Sequence, residues 1–150
     1  MRTKKLSIPD LESKANSIRR DIITMLENAG SGHSAGPLGL ADIFTALYFD
    51  VLKHDPKNPD WDERDYLVLS NGHVAPVQYA TLAEAGYFHK KELKTLRQFG
   101  SRLQGHPERT KLPGTETTSG PLGCGLSQAI GIGLALRLNK QHHRWVYVVM

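Results

Sequence analysis

Three histidines of this chain directly follow a glycine: Gly32-His33 in SGHSAGPLG, Gly72-His73 in SNGHVAP and Gly105-His106 in QGHPE. Each pair falls where a turn is expected. Glycine permits positive φ and a close approach of backbone to a ligand. An imidazole exchanges a proton near neutral pH or donates to developing negative charge. Three such corners suit a polar pocket assembled from loops. A second feature is SGPLGCGLSQAIGIG, residues 119–133, in which Gly120, Gly123 and Gly125 lead into a helical pattern. The amino end of a helix offers free N–H groups and partial positive charge, which suits a phosphate or diphosphate. The segment is no P-loop, since Lys-Ser/Thr is missing, and no dinucleotide fingerprint, since no strand precedes it.

Other residues read more plainly. Gly131 and Gly133 suit close packing of that helix on a sheet. Cys124 reads as a small packing residue, and His89, His142 and His143 as surface positions. Arg97, ahead of the loop carrying His106, could reach a phosphate or organise that histidine. Zinc bound by the three Gly-His histidines is a rival reading. Their separations of 40 and 33 residues, with no HExxH, give it little support.

The elements that must position these residues follow from periodicity. Ser7 and Asp10 form a capping box for a helix ended by Gly30. Apolar residues at three and four spacing predict a second helix over 40–51. A proline-bearing loop leads to a buried strand at Tyr66-Leu67-Val68-Leu69, which turns through Ser70-Asn71-Gly72-His73. Helices are expected over 76–85, closed by Gly86, and over 90–99, closed by Gly100. A long loop spans 101–119. A helix over 123–139 and a second buried strand over 145–149 complete the order. Strands separated by helices imply an α/β fold, a parallel sheet with flanking helices whose ligands lie beyond the carboxyl ends of the strands. Residues 1–7 are expected to form a flexible tail.

Composition narrows the function. The 150 residues carry a net charge of +4, with 39% hydrophobic and 23% charged residues. No basic run reaches five residues and no aromatics are interleaved, so neither nucleic acid nor a membrane is expected as partner. A single cysteine excludes an internal disulfide and fits a reducing compartment. The basic amino terminus has no apolar core behind it, so a cytoplasmic location is expected.

In combination, NAGSGHSAGPLGLADIFTALYFDVL, LVLSNGHVAPVQYATLAEAGYF, LRQFGSRLQGHPE and TTSGPLGCGLSQAIGIGLAL resemble the amino-terminal part of a transketolase, in particular the separate N-terminal subunit of split transketolases. The likeness runs from about residue 8 to 150. It implies a thiamine-diphosphate-binding fold, with residues 1–150 forming a partial diphosphate-binding domain that is incomplete at the C-terminus. It implies transfer of a two-carbon ketol unit from a ketose phosphate to an aldose phosphate, with thiamine diphosphate and Mg2+ as cofactors. His33, His73 and His106 would be catalytic. His33, His106 and Arg97 would meet the sugar. His73, Gly120 and Leu122 would meet the cofactor: Gly120 the aminopyrimidine through its backbone, Leu122 the rings. The family's Gly-Asp-Gly segment and later Asn, which bind magnesium and diphosphate, would come after Met150, so no metal ligand is expected within the chain. The glutamate that activates the aminopyrimidine is also expected outside it. Cys124 stands where the family usually has Gln. The implied partners are sugar phosphates, the remaining diphosphate-binding region and a pyrimidine-binding domain or C-terminal subunit, most simply in a dimer. The chain alone is expected to be inactive. A non-catalytic remnant or interaction module of the same fold, a histidine-bound metal hydrolase and a nucleic-acid-binding module are the alternatives.

Overall fold

The computed structural model describes residues 6–150. Helix α1 runs Ile8–Ala29. Ser7 caps it through a full capping box with Asp10, and Gly30 ends it with a left-handed φ of 62°. Of the expected tail, residues 1–5 lie outside the described residues, and Ser7 is held as this cap. One face of α1 buries Ala15, Ile18, Ile22 and Met25, against α3, α4 and the segment around Leu93.

The expected helix over 40–51 is in fact three pieces that begin earlier. They are α2, Ala35–Gly39, α3, Ala41–Ala46, and a wider π-helical turn, Leu47–Val51. Strand β1, Tyr66–Leu69, is followed by a 3-10 turn at Gly72–Val74 and then α4, Ala75–Ala85. Helix α4 is buried from Ala75 to Ala83, and Gly86 closes it in the left-handed region. It is the central post of the core.

The helix expected over 90–99 is not formed. Residues Lys90–Thr95 make 3-10 turns, Leu96 leaves the helical region, and Arg97 takes a φ of 60°. Leu93 and Leu96 are both buried. A spacing of three suits the 3-10 repeat, in which i and i+3 eclipse. The loop over 101–119 is irregular, as expected. Helix α5, Cys124–Leu138, then leads to β2, Val146–Val149.

The two strands pair in parallel, with Tyr66 opposite Val146 and Leu69 opposite Val149. Ser70 N extends the ladder to Val149 O at 2.8 Å. Asp65, buried, pins the entry to both strands by accepting from Lys53 N at 2.9 Å and Trp145 N at 2.8 Å. The expectation that the second strand is buried holds only for Val149, since Trp145 is 62% exposed and residues 146–148 are half-buried. Side chains on β2 and α5 border an open groove of about 460 Å³ that includes Leu126, Ile130, Trp145 and Val148. No helix among the described residues is long and apolar enough to cross a membrane.

Candidate functional site

The turn after β1 is the hub of the site. Gly123 N donates to Ser70 O at 3.3 Å, which seats the start of α5 on the carboxyl end of β1. A Cβ on Gly125 would stand 2.6 Å from Ser70 Cα, so this approach requires glycine. The close-packing glycine of α5 is therefore Gly125. At Gly131 and Gly133 an added Cβ would meet nothing within 4 Å, which corrects the expectation that those two pack on the sheet.

The His33 and His73 rings lie with centroids 5.0 Å apart, tilted by 58°. Helix α2 holds them in register, because a Cβ on Gly36 would meet Val74 Cγ1 at 2.8 Å. The third corner closes on the second. A Cβ on Gly72 would lie 2.9 Å from His106 Cδ2, and equally close to the carbonyl carbon and hydroxyl of Ser119. Ser119 N donates to Pro107 O at 3.1 Å, which ties the strand of loop before Gly120 to the segment carrying His106. Tyr79 OH, rising from α4, donates to Gln104 O at 2.8 Å and anchors the same segment. Burial pushes the Tyr79 hydroxyl well above its ordinary range, so it stays a donor.

The structure thus brings His33, His73 and His106 to one junction, with Ser119 carrying Gly120 into it. His33 and His106 are exposed, and His73 is half-buried. Around Gly120 there is free space, since an added Cβ would touch nothing within 4 Å. Leu122 is 69% exposed. Arg97 reaches the junction from the side, with Nη1 3.4 Å from Ser31 Oγ. Cys124 is exposed, which corrects its reading as a packing residue: it is the residue before Gly125 that the seat on Ser70 leaves outside.

Several groups were not singled out from sequence. Ser70 Oγ and Asn71 Oδ1, in the SNGH turn, are buried and have no hydrogen-bond partner. Ser119 and Tyr79 work through backbone contacts that no motif advertises. Away from the junction, His54 donates from Nε2 to Tyr48 O at 2.7 Å and accepts from Tyr87 OH at 3.0 Å. Burial holds its imidazole below the ordinary value of 6.5, against the Tyr48 carbonyl and Asp55. Among the described residues no group of three or more His, Cys, Asp or Glu is placed to hold a metal ion.

Comparison with known proteins agrees on one family. The family described as "Transketolase, thiamine diphosphate binding domain" matches residues 11–145. A transketolase of Buchnera aphidicola (from Acyrthosiphon pisum) is 44% identical over 146 residues, covering 89% of this chain and 22% of that protein. A chloroplastic transketolase of Zea mays is 49% identical over 127 residues, covering 83% and 19%. Among solved structures, transketolase from Leishmania mexicana superposes with a TM-score of 0.85 at 39% identity, covering 97% of this chain and 23% of that one. Transketolase from Campylobacter jejuni gives 0.81 at 41% identity, covering 88% and 21%. The chain spans about a fifth of the length of these relatives.

Proposed function

Because the chain belongs to the transketolase family through its thiamine diphosphate binding domain, we propose that it forms one wall of a site for transfer of a two-carbon ketol unit between sugar phosphates. The observation that carries this reading is the junction itself: three imidazoles from distant corners beside the start of α5. The residues present fit a diphosphate-bearing cofactor. Ser70 Oγ is a buried hydroxyl without a partner that can donate to a phosphate oxygen, Asn71 Oδ1 is a buried acceptor that a donor group of the cofactor could meet, and the space around Gly120 is open. Unmet polar atoms of this kind are costly unless a ligand or water pairs with them. His73 would face the cofactor, Gly120 would meet its aminopyrimidine through the backbone, and Leu122 would cover its rings. Magnesium belongs to the reading as a second cofactor, and no residue of this chain is assigned to it.

When bound, the cofactor supplies the electron sink for the two-carbon unit. The chain's own groups do the rest. His33 and His106 would donate to hydroxyls of the ketose and fix its carbon chain, with Arg97 beside them. These imidazoles would also take the hydroxyl proton as the carbon–carbon bond of the ketose breaks, and return a proton when the aldose accepts the fragment.

Further protein must complete the site. Along α5, Leu126, Ile130, Leu134 and Leu138 are between 41% and 84% exposed, beside Trp145. An apolar surface of this extent suits burial against the remaining diphosphate-binding region and a pyrimidine-binding domain, in a dimer. The cofactor balance agrees. A helix amino end offers a phosphate up to about 2 kcal/mol, and each charge-assisted hydrogen bond roughly 1.5–3 kcal/mol. Micromolar affinity needs about 8 kcal/mol beyond association costs. The chain alone should therefore bind thiamine diphosphate with magnesium weakly, and His73→Ala should abolish what binding remains, by calorimetry. Tight binding that ignores His73 would refute this reading.

A further inference from the structure

We propose that Arg97 is a positioning residue whose guanidinium bridges the corner at Ser31–His33 to the corner at Gly105–His106. The inference rests on the reading of those imidazoles as working groups, and it concerns how they are held. Arg97 is one of two non-glycine residues with positive φ among the described residues, at 60°. Its amide donates to Leu103 O at 2.9 Å. A left-handed backbone at a residue with a long side chain persists only where its surroundings fix it. In this pose the side chain spans the two corners. Nη1 donates to Ser31 Oγ at 3.4 Å, and Cζ lies 4.0 Å from where a Cβ on Gly32 would stand. On the other side, Nε and Nη2 lie 3.2 and 3.4 Å from the place of a Cβ on Gly105. Gly105 therefore leaves room for the guanidinium, while at Gly32 the tight neighbour is Leu26, whose Cδ2 an added Cβ would overlap, and Arg97 lies at ordinary contact distance. Tyr79, which anchors Gln104 next to Gly105, also feels the Arg97 charge, which opposes the upward push of burial on the phenol. Among the described residues no carboxylate forms an ion pair with Arg97. A planar fork suits such a span, and a lysine ammonium does not.

Imidazole NMR of the 150-residue chain tests the bridge. Asparagine tolerates the left-handed backbone, so Arg97→Asn removes the fork and keeps the turn. The expected result is that Arg97→Asn moves the ring resonances of both His33 and His106 and leaves that of His54 in place, with Arg97→Lys behaving like Arg97→Asn. Gly105→Ala, which presses a methyl on the guanidinium, should move His33 in the native background and lose that effect in the Arg97→Asn background. A His33 resonance unmoved by Arg97→Asn overturns the bridge, and so does an equal effect of Gly105→Ala in both backgrounds. If Gly105→Ala fails to fold, the Arg97→Asn comparison decides alone. An anion-ligand role would look different. Native and Arg97→Asn spectra would coincide without phosphate, and only native His33 and His106 would shift on adding inorganic phosphate. That outcome also overturns the bridge. The spectra contain neither cofactor nor sugar, so their result is separate from the calorimetric test of function.

Discussion

Gly125→Ala sets two effects of similar size against each other inside one helix. Alanine is favoured over glycine in a helix interior by about 0.8–1 kcal/mol. At Gly125 the new Cβ would stand 2.6 Å from Ser70 Cα, 2.8 Å from its Cβ and 3.1 Å from its N. Those are backbone and near-backbone atoms of the β1 end, with no flexible tip to swing aside. Either the start of α5 or the SNGH turn must move. Overpacking of this kind costs about 1–3 kcal/mol, and contacts this short with backbone belong at the upper end of that range. The net expectation is a loss of roughly 1–2 kcal/mol, a fall of about 2–8 °C in Tm for a chain of this size. Gly131→Ala and Gly133→Ala are controls in the same helix. An added Cβ there meets nothing, so both should raise stability by up to about 1 kcal/mol. Urea denaturation of the three variants measures all of this. A Gly125→Ala chain as stable as Gly131→Ala would refute the seating of α5 on Ser70, and with it the placement of the helix start beside His73.

Other perturbations read other parts of the molecule. The unfolded chain should take up the His54 proton before the folded chain does, because burial depresses the folded value below 6.5. Its contribution is thus complete above about 6.5 and is lost as pH falls through the folded value; urea denaturation between pH 7.5 and 5 should show this loss, and His54→Gln should remove it. Arg64 binds Glu116 through both carboxylate oxygens at 2.9 and 3.0 Å, with both side chains nearly buried. Glu116→Ala removes both of these bonds while Arg64 Nη1 keeps its bond to Trp61 O at 3.0 Å, and should cost about 1.5–3 kcal/mol, the range for hydrogen bonds to a charged group, by the same denaturation assay. Cys124 should react with one equivalent of a thiol reagent in the native chain, as its exposure requires; labelling as slow as that of a buried thiol would contradict the placement.

Legibility from sequence followed the range of the interaction. The capping box at Ser7 and the closures at Gly30 and Gly86 are local chemistry, and the structure has them as expected. The four-residue strand at 66–69 and its parallel pairing also follow from the pattern. The segment over 90–99 misled because an amphipathic spacing of three and four does not exclude a 3-10 turn. The buried pair Leu93 and Leu96 suits the tighter repeat, and the chain leaves it at Leu96. The glycines of α5 misled in the opposite direction. All look alike in sequence, and only the position of Ser70 in space distinguishes Gly125 from Gly131 and Gly133. Arg144 was equally silent. It is buried against the Tyr66 ring, 4.8 Å from the centroid, with Arg64 at the same distance from that ring.

The recurrence of Gly-His has a different physical basis from the one the sequence suggests. Of the three glycines only Gly32 has a positive φ, at 130°. At the other two an added side chain meets a neighbour, tightly at Gly72 and at Gly105 only against the flexible end of Arg97. A side chain on Gly72 would displace His106 and Ser119, and one on Gly105 would displace Arg97. At Gly72 and Gly105 another part of the junction lies against the backbone, whereas the space beside Gly32 is taken by Leu26 of α1, whose Cδ2 an added Cβ would overlap. The consequence is mechanical. The His73 and His106 rings are not borne independently, since His106 and Ser119 close the space beside Gly72. Substituting Gly72 should therefore disturb His106, an imidazole that it does not adjoin in sequence, and a site built this way is sensitive to changes well outside the atoms that meet a ligand.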